Sequence, residues 1–308
     1  MVKKNNECEV GSAKSFQRLR EHLIRHTPST EAALEDVESP QYQAFQWIQE
    51  TEPSIACRTK ESMGVSFAFA TLNFSLNTTD TSLLTKAATS DRGDTLSFKD
   101  ANFTKGNGIP PEIYYLDFLK VLEFEKSIVD GELPTEIGNL RLLEVLSIAN
   151  YEHEENCRGI TIDSPCRVIS GTIPTEIGNL KKLKTLSLRD NAFSGQVPEE
   201  ISQLSLLKTL HLDRNCLSGL LPIGLTQLPN LTNFNSRQNS FEIGSYGPGF
   251  RLEDADQVPS DWITVVDGRI ESNECHCYRT ENTCGRNYLE CPPVPPLCSR
   301  APKGKFLR

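Results

Sequence analysis

The chain is short of positive charge. Its 32 lysines and arginines face 41 aspartates and glutamates, a formal net charge of −9. A phosphate backbone needs a basic footprint, so nucleic acid is excluded as a partner. No apolar run approaches the ~18 residues that a membrane span requires, so no span is expected. The opening stretch "MVKKNNECEVGSAKSF" carries lysines but no apolar core, so no secretory signal is legible there. Enzyme signatures are missing as well: no Gly-rich nucleotide loop, no H-R-D or D-F-G element, no G-x-S-x-G and no H-E-x-x-H. The expectation is a protein without catalysis and without a cofactor. Ten cysteines pull against the missing signal, because a cytosolic chain seldom carries so many without metal or redox use.

What the chain does have is a repeat. "DGELPTEIGNL" at 130–140 and "SGTIPTEIGNL" at 170–180 say nearly the same thing. Aligned on Gly-x-(Ile/Leu/Val)-Pro, five units begin at Asn107, Gly131, Gly171, Gly195 and Gly219. Their spacings are 24, 40, 24 and 24, so one insertion of 16 residues interrupts a 24-residue period. Leu183, Leu186 and Leu188, and Leu207, Leu210 and Leu212 one turn on, are placed to face a continuous core. The L-x-L run is a short strand whose alternate residues face outward. Asn191 and Asn215 stand where the chain leaves the strand, and Pro174, Pro198 and Pro222 close the opposite side. One such coil cannot bury its own leucines, so the coils must stack. The fold class is an α/β solenoid of about five 24-residue coils over 107–242, with the insertion at about 151–169.

These motifs resemble plant-type leucine-rich repeats, the class that includes receptor-kinase ectodomains and polygalacturonase inhibitors. The likeness extends to the leucine-rich repeat proteins of diatoms, which carry an "SPQxxAxxW" helix ahead of the repeats; "SPQYQAFQWIQE" stands at 39–50 here. The Trp and paired Cys usual before the first repeat are absent, which implies a degenerate N-terminal cap. Such a resemblance implies a recognition module whose partner is a protein, peptide or glycan, at the cell surface or outside the cell. A structural wall or adhesion protein and a cytoplasmic scaffold are the alternatives.

The flanks should cover the solenoid's ends. Over 1–76 a helical region is expected. "KSFQRLREHLIRH" sets Phe16, Leu19 and Leu23 on one stripe, and Ser39 caps a second helix with apolar face Tyr42, Phe45 and Ile48. "MGVSFAFATLNFSL" suits strand or helix by pattern; the diatom likeness favours helix. Residues 77–106 read as a linker or degenerate cap. From 243 to 308 the pattern decays into a cysteine-rich tail, with Cys275, Cys277, Cys284, Cys291 and Cys298. Their spacing lacks CxxC pairs, favouring a disulfide-stapled cap over zinc, with pairing undetermined. Trp262, Ile263, Val265 and Val266 are the apolar group expected to lie on the last coil.

Candidate sites follow from the strands. The concave columns place Glu123, Ser147, Ser187, His211 and Asn235 side by side, beside Glu125, Ala149, Arg189, Asp213 and Arg237. The first coil is acidic and the later ones basic. The insertion offers Glu152, His153, Glu154 and Arg158, with Cys157 and Cys166 placed to close it into a ring. Sequons at Asn73, Asn77, Asn102 and Asn230 are candidate glycan sites, about as many as chance supplies. His22 and His26, one helical turn apart, lack a third ligand nearby and read as a solvated basic face rather than a metal site. Cys216 reads as a lone thiol; Cys8 and Cys57 have no legible role.

Overall fold

The computed structural model describes residues 8–76, 82–89, 93–99, 108–125, 127, 129, 131–149, 169–236 and 239–241. Helix α1 (Ala13–His26) starts where the Ser12 side chain accepts the Ser15 N–H, and ends with Arg25 and His26 on its negative dipole end. After the short α2 (Thr30–Ala33), Ser39 accepts from Tyr42 N and Pro40 opens α3 (Pro40–Glu50). The buried stripe of α3 is Pro40, Gln41, Ala44 and Ile48, while Tyr42 and Phe45 are half-buried. The expected apolar face is therefore rotated, and a glutamine sits at its centre.

A short 3-10 helix at Pro53–Cys57 leads to α4 (Lys60–Ser75), capped by Thr59. Here the strand-like alternation loses to helix. Every residue from Met63 to Asn73 is buried, so no polar face is needed, and small residues let neighbours close in from all sides. The ring of Tyr115 occupies the space above Gly64, where a Cβ would stand 2.2 Å from it. Ser66 Oγ accepts from Arg58 Nη1 at 2.9 Å, and Ser75 Oγ donates to Thr71 O at 3.0 Å, so those hydroxyls are not left orphaned. A disulfide joins Cys8 to Cys57 and ties the start of the region to the turn before α4. Helix α5 (Ser82–Thr89) then packs on α4.

The strands are β1 (Thr95–Lys99), β2 (Val121–Glu125), β3 (Gly131–Glu132), β4 (Val145–Ala149), β5 (Ile169–Thr172), β6 (Thr185–Ser187), β7 (Ala192–Gly195), β8 (Thr209–His211), β9 (Cys216–Gly219), β10 (Asn233–Asn235) and β11 (Ser240–Phe241). All pairs are parallel, in a six-stranded sheet β1-β2-β4-β6-β8-β10 and a five-stranded one β11-β9-β7-β5-β3. Short 3-10 helices, each entered through a proline such as Pro134, Pro174 or Pro198, close each coil opposite the main sheet.

Within the stretch read as a linker or degenerate cap, 77–106, Thr95–Lys99 forms a strand that pairs along its whole length with β2. "TLSFK" alternates with period two, and its Leu96 is buried, but it carries neither the L-x-x-L spacing nor the Gly-x-Pro element that marks the other coils. The six repeat leucines from Leu183 to Leu212 are fully buried.

Asparagines bind the coils together. Asn191 Nδ2 donates to the Ile148 carbonyl, 43 residues back, at 2.7 Å, and also lies near Leu188 O and Arg189 O. Asn215 repeats this on Leu188 O, Leu212 O and Asp213 O, and its Oδ1 accepts from Phe193 N at 3.0 Å. Asn239 continues the ladder on Leu212 O. At these three turns, otherwise orphaned backbone groups are thus satisfied by an asparagine amide, buried at 191 and 215.

Candidate recognition surface

Register turns the sheet into straight columns. The first runs Thr95, Val121, Val145, Thr185, Thr209, Asn233. Beside it run Ser97, Glu123, Ser147, Ser187, His211 and Asn235. Sequence reading found five members of the second column and missed Ser97, which belongs to β1. At ~4.8 Å per strand the six span about 24 Å, the length of roughly seven residues of extended peptide.

The third column is less open. Lys99, Glu125 and Ala149 share a register position, and Ala149 is buried. Arg189 and Asp213 lie just past the ends of β6 and β8; Arg237 lies outside the described residues. Asp213 is 8% exposed and Ser187 7%, so these two line the floor rather than offer free side chains, while Glu123, Ser147, His211 and Asn235 are half-buried. Burial pushes the Asp213 carboxyl above the usual range, opposed by the Arg189 guanidinium and reinforced by Asp190.

Asp190 and Arg214 hold left-handed backbone at the strand exits, with φ of 58° and 57°. Their side chains pair at 3.1 Å, and Arg189 Nε lies 3.6 Å from Asp190. Two arginines and two aspartates therefore share this corner, so the basic end is largely self-neutralised. At the other end Ser97 Oγ lies 3.4 Å from Glu123.

The insertion leaves after Ala149 and returns at Ile169, against the coil that carries Arg189. Glu152, His153, Glu154, Cys157, Arg158 and Cys166 lie outside the described residues, as do Cys275, Cys277, Cys284, Cys291, Cys298, Trp262, Ile263, Val265 and Val266. Among the sequons, Asn73 is buried within α4, which closes it to a glycan in the folded chain. Asn77 and Asn102 lie outside the described residues, and exposed Asn230 donates to Ser205 O at 2.8 Å. Among the described residues no group of three or more His, Cys, Asp or Glu could hold a metal. No helix among them is long and apolar enough to cross a membrane.

A second polar constellation escaped sequence reading. Glu112, on the 3-10 helix Pro111–Tyr115 of the first coil, has no exposed surface. Its Oε1 lies 2.5 Å from Thr30 Oγ1 of α2, and its Oε2 accepts from Gln41 Nε2 of α3 at 3.0 Å. His22 is buried against the same 3-10 helix, its ring 5.6 Å from that of Tyr115, while exposed His26 stacks on Tyr114 at 5.9 Å. His22 is thus not on a solvated face: burial lowers its pKa to about 4, with help from His26, Lys60 and Arg25. The signal was present in "PPEIYYL", where two tyrosines stand at the positions filled by Gly-Asn in both copies of "PTEIGNL". Gly138 must be small because the next coil's Glu176 backbone would stand 2.5 Å from a Cβ. Tyr114 and Tyr115 face helices instead.

No curated protein matches the chain. Among solved structures it is similar to a TDR receptor (34% identity, 44% of this chain and 20% of that one, TM-score 0.38). It is also similar to PEPR1-AtPEP1 (34%, 48% and 18%, 0.39) and to the ectodomain of the receptor kinase SOBIR1 from Arabidopsis thaliana (33%, 37% and 53%, 0.31). The chain spans a fifth or less of the first two structures' lengths and about half of the third's. Residues 182–204 and 206–228 match the family model described as Leucine Rich Repeat. The chain carries leucine-rich repeats, stacked as a parallel-strand solenoid.

Proposed function

We propose that this protein is a non-enzymatic recognition module that binds a protein, peptide or glycan along the concave sheet, outside the cell or at its surface. The observation that carries the reading is the pair of straight columns from Thr95 to Asn233 and Ser97 to Asn235. The first is β-branched up to Asn233 and the second hydrogen-bonding throughout, over about 24 Å without a break in register. Contact falls to Glu123, Ser147, His211 and Asn235, with Arg189, Glu125 and Arg237 at the margin and Ser187 and Asp213 below. The insertion residues Glu152, His153, Glu154 and Arg158 add contacts at the edge, within a ring closed by Cys157 and Cys166. The tail from 243 to 308 caps the last coil through its cystines, without metal.

The Cys8–Cys57 disulfide favours an oxidising compartment over a cytoplasmic scaffold. In this reading Asn230 is the described sequon open to glycosylation. The diatom likeness rests on the 39–50 motif alone. Binding to secreted peptides and wall polysaccharides, by wild type and by a chain lacking 152–167, tests the proposal. One ligand class should bind the wild type and lose affinity on deletion; unchanged binding would remove the insertion from the site. Reversing Arg189 and Arg237 to Glu should slow association and weaken its salt dependence. If on-rate and salt slope both stay put, the margin takes no part.

A further inference from the structure

Three oxygen–oxygen contacts run in line through the joint between the helices and the first coil. Glu112 Oε1 lies 2.5 Å from Thr30 Oγ1, Thr30 Oγ1 lies 2.8 Å from Thr27 Oγ1, and Thr27 Oγ1 lies 3.0 Å from the Leu23 carbonyl oxygen. Each contact needs a proton between its oxygens, and each hydroxyl has one to give. The Leu23 carbonyl only accepts, so Thr27 donates to it and Thr30 donates to Thr27. The third proton can come only from Glu112. Were the carboxyl ionised, two of these buried oxygens would face each other at hydrogen-bond distance with nothing between them. The other carboxyl oxygen already accepts from Gln41, as the carbonyl oxygen of an acid should.

We propose that Glu112 is a neutral carboxylic acid in the folded protein, that it donates to Thr30, and that this proton latches α2 and α3 onto the solenoid. The latch therefore weakens as pH rises.

The surroundings agree. Glu112 is fully buried, and no lysine or arginine among the described residues pairs with it. The next coil contributes Glu136, a like charge, and its own element contributes Tyr114 and Tyr115. Among the described residues of the helical region, Thr30 and Gln41 bond the Glu112 carboxyl. Burial raises the carboxyl pKa above its ordinary 4.5. A raised folded pKa means stability that is complete below about 4.5 and is lost as pH climbs toward the folded value. His22 of α1 faces the same joint, with His26, Arg25 and Lys60 around it, and acts in the opposite sense.

Glu112→Gln supplies the test, because its amide can donate to Thr30 and accept from Gln41 at any pH. Infrared difference spectra of the full chain at pH 7 should show a protonated-carboxyl C=O band that Glu112→Gln removes. The melting temperature of Glu112→Gln relative to wild type should rise steadily from pH 4 to pH 9. Above neutrality, amides of α2 and α3 should exchange faster in wild type than in the variant, after correction for intrinsic rate. Absence of the band at pH 7, or a melting difference that stays flat across the pH range, would overturn the proposal.

Discussion

The first coil and the coils after it are written almost alike, yet they bury polar groups in opposite ways. In the later coils the acid of "PTEI" or "PEEI" is half-buried at the surface as Glu136, Glu176 and Glu200, and the buried polar work falls to Asn191, Asn215 and Asn239. In the first coil the matching acid, Glu112, is sealed under α2 and α3. The same letter in the same register has two roles, decided by what stacks on that coil. A stacked solenoid offers each residue the neighbour's surface, and at the first coil the neighbour is a helical layer rather than another repeat.

Asn215→Ala should separate the regions most sharply. It strips a donor shared by three buried carbonyls and leaves Phe193 N–H unpartnered, for a loss of about 3 kcal/mol in urea unfolding. Glu112→Ala should cost about 2–3 kcal/mol by orphaning Gln41 and Thr30, whereas Glu176→Ala should stay within about 0.5 kcal/mol. Equal losses for the two glutamates would end the comparison. Cys8→Ser should cost about 2 kcal/mol, and in the wild type Cys8 and Cys57 should be alkylated only after reduction. Smallest is the acid limb set by His22. A folded pKa of about 4, below the ordinary 6.5, means full stability above pH 6.5 and loss as pH falls toward 4. Because some solvent still reaches the ring, which is 8% exposed, the loss should be about 1–2 kcal/mol, and His22→Phe should flatten it. A melting difference between wild type and His22→Phe that stays flat between pH 6.5 and 4 would contradict that assignment.

This contrast also explains what was legible. The leucine core, the turn asparagines and the outward columns recur every 24 residues, so each copy corroborates the others. Glu112, Thr30, Gln41 and His22 meet once, across as much as 93 residues of chain from His22 to Tyr115. Nothing local marks them except Tyr114 and Tyr115 in place of Gly-Asn. Strand β1 was missed for the same reason: it needs only Leu96 and Phe98 on the inner face, and five residues of alternation are too few to stand out. On the surface, strand alternation named the columns, but the burial of Ser187 and Asp213 and the Asp190 pairing with Arg189 and Arg214 depend on neighbouring coils. The Asp190–Arg214 contact is set by two left-handed turns, which the letters Asp and Arg do not announce.

The central claim, recognition on the columned sheet, is tested most directly by one pair of proteins. Wild type and a Thr209→Arg/His211→Glu variant, both on β8, would be titrated with whichever secreted peptide or wall polysaccharide the wild type retains. The account predicts at least a tenfold loss of affinity, about 1.4 kcal/mol, with the melting temperature unchanged. Identical affinities for the two proteins would contradict it.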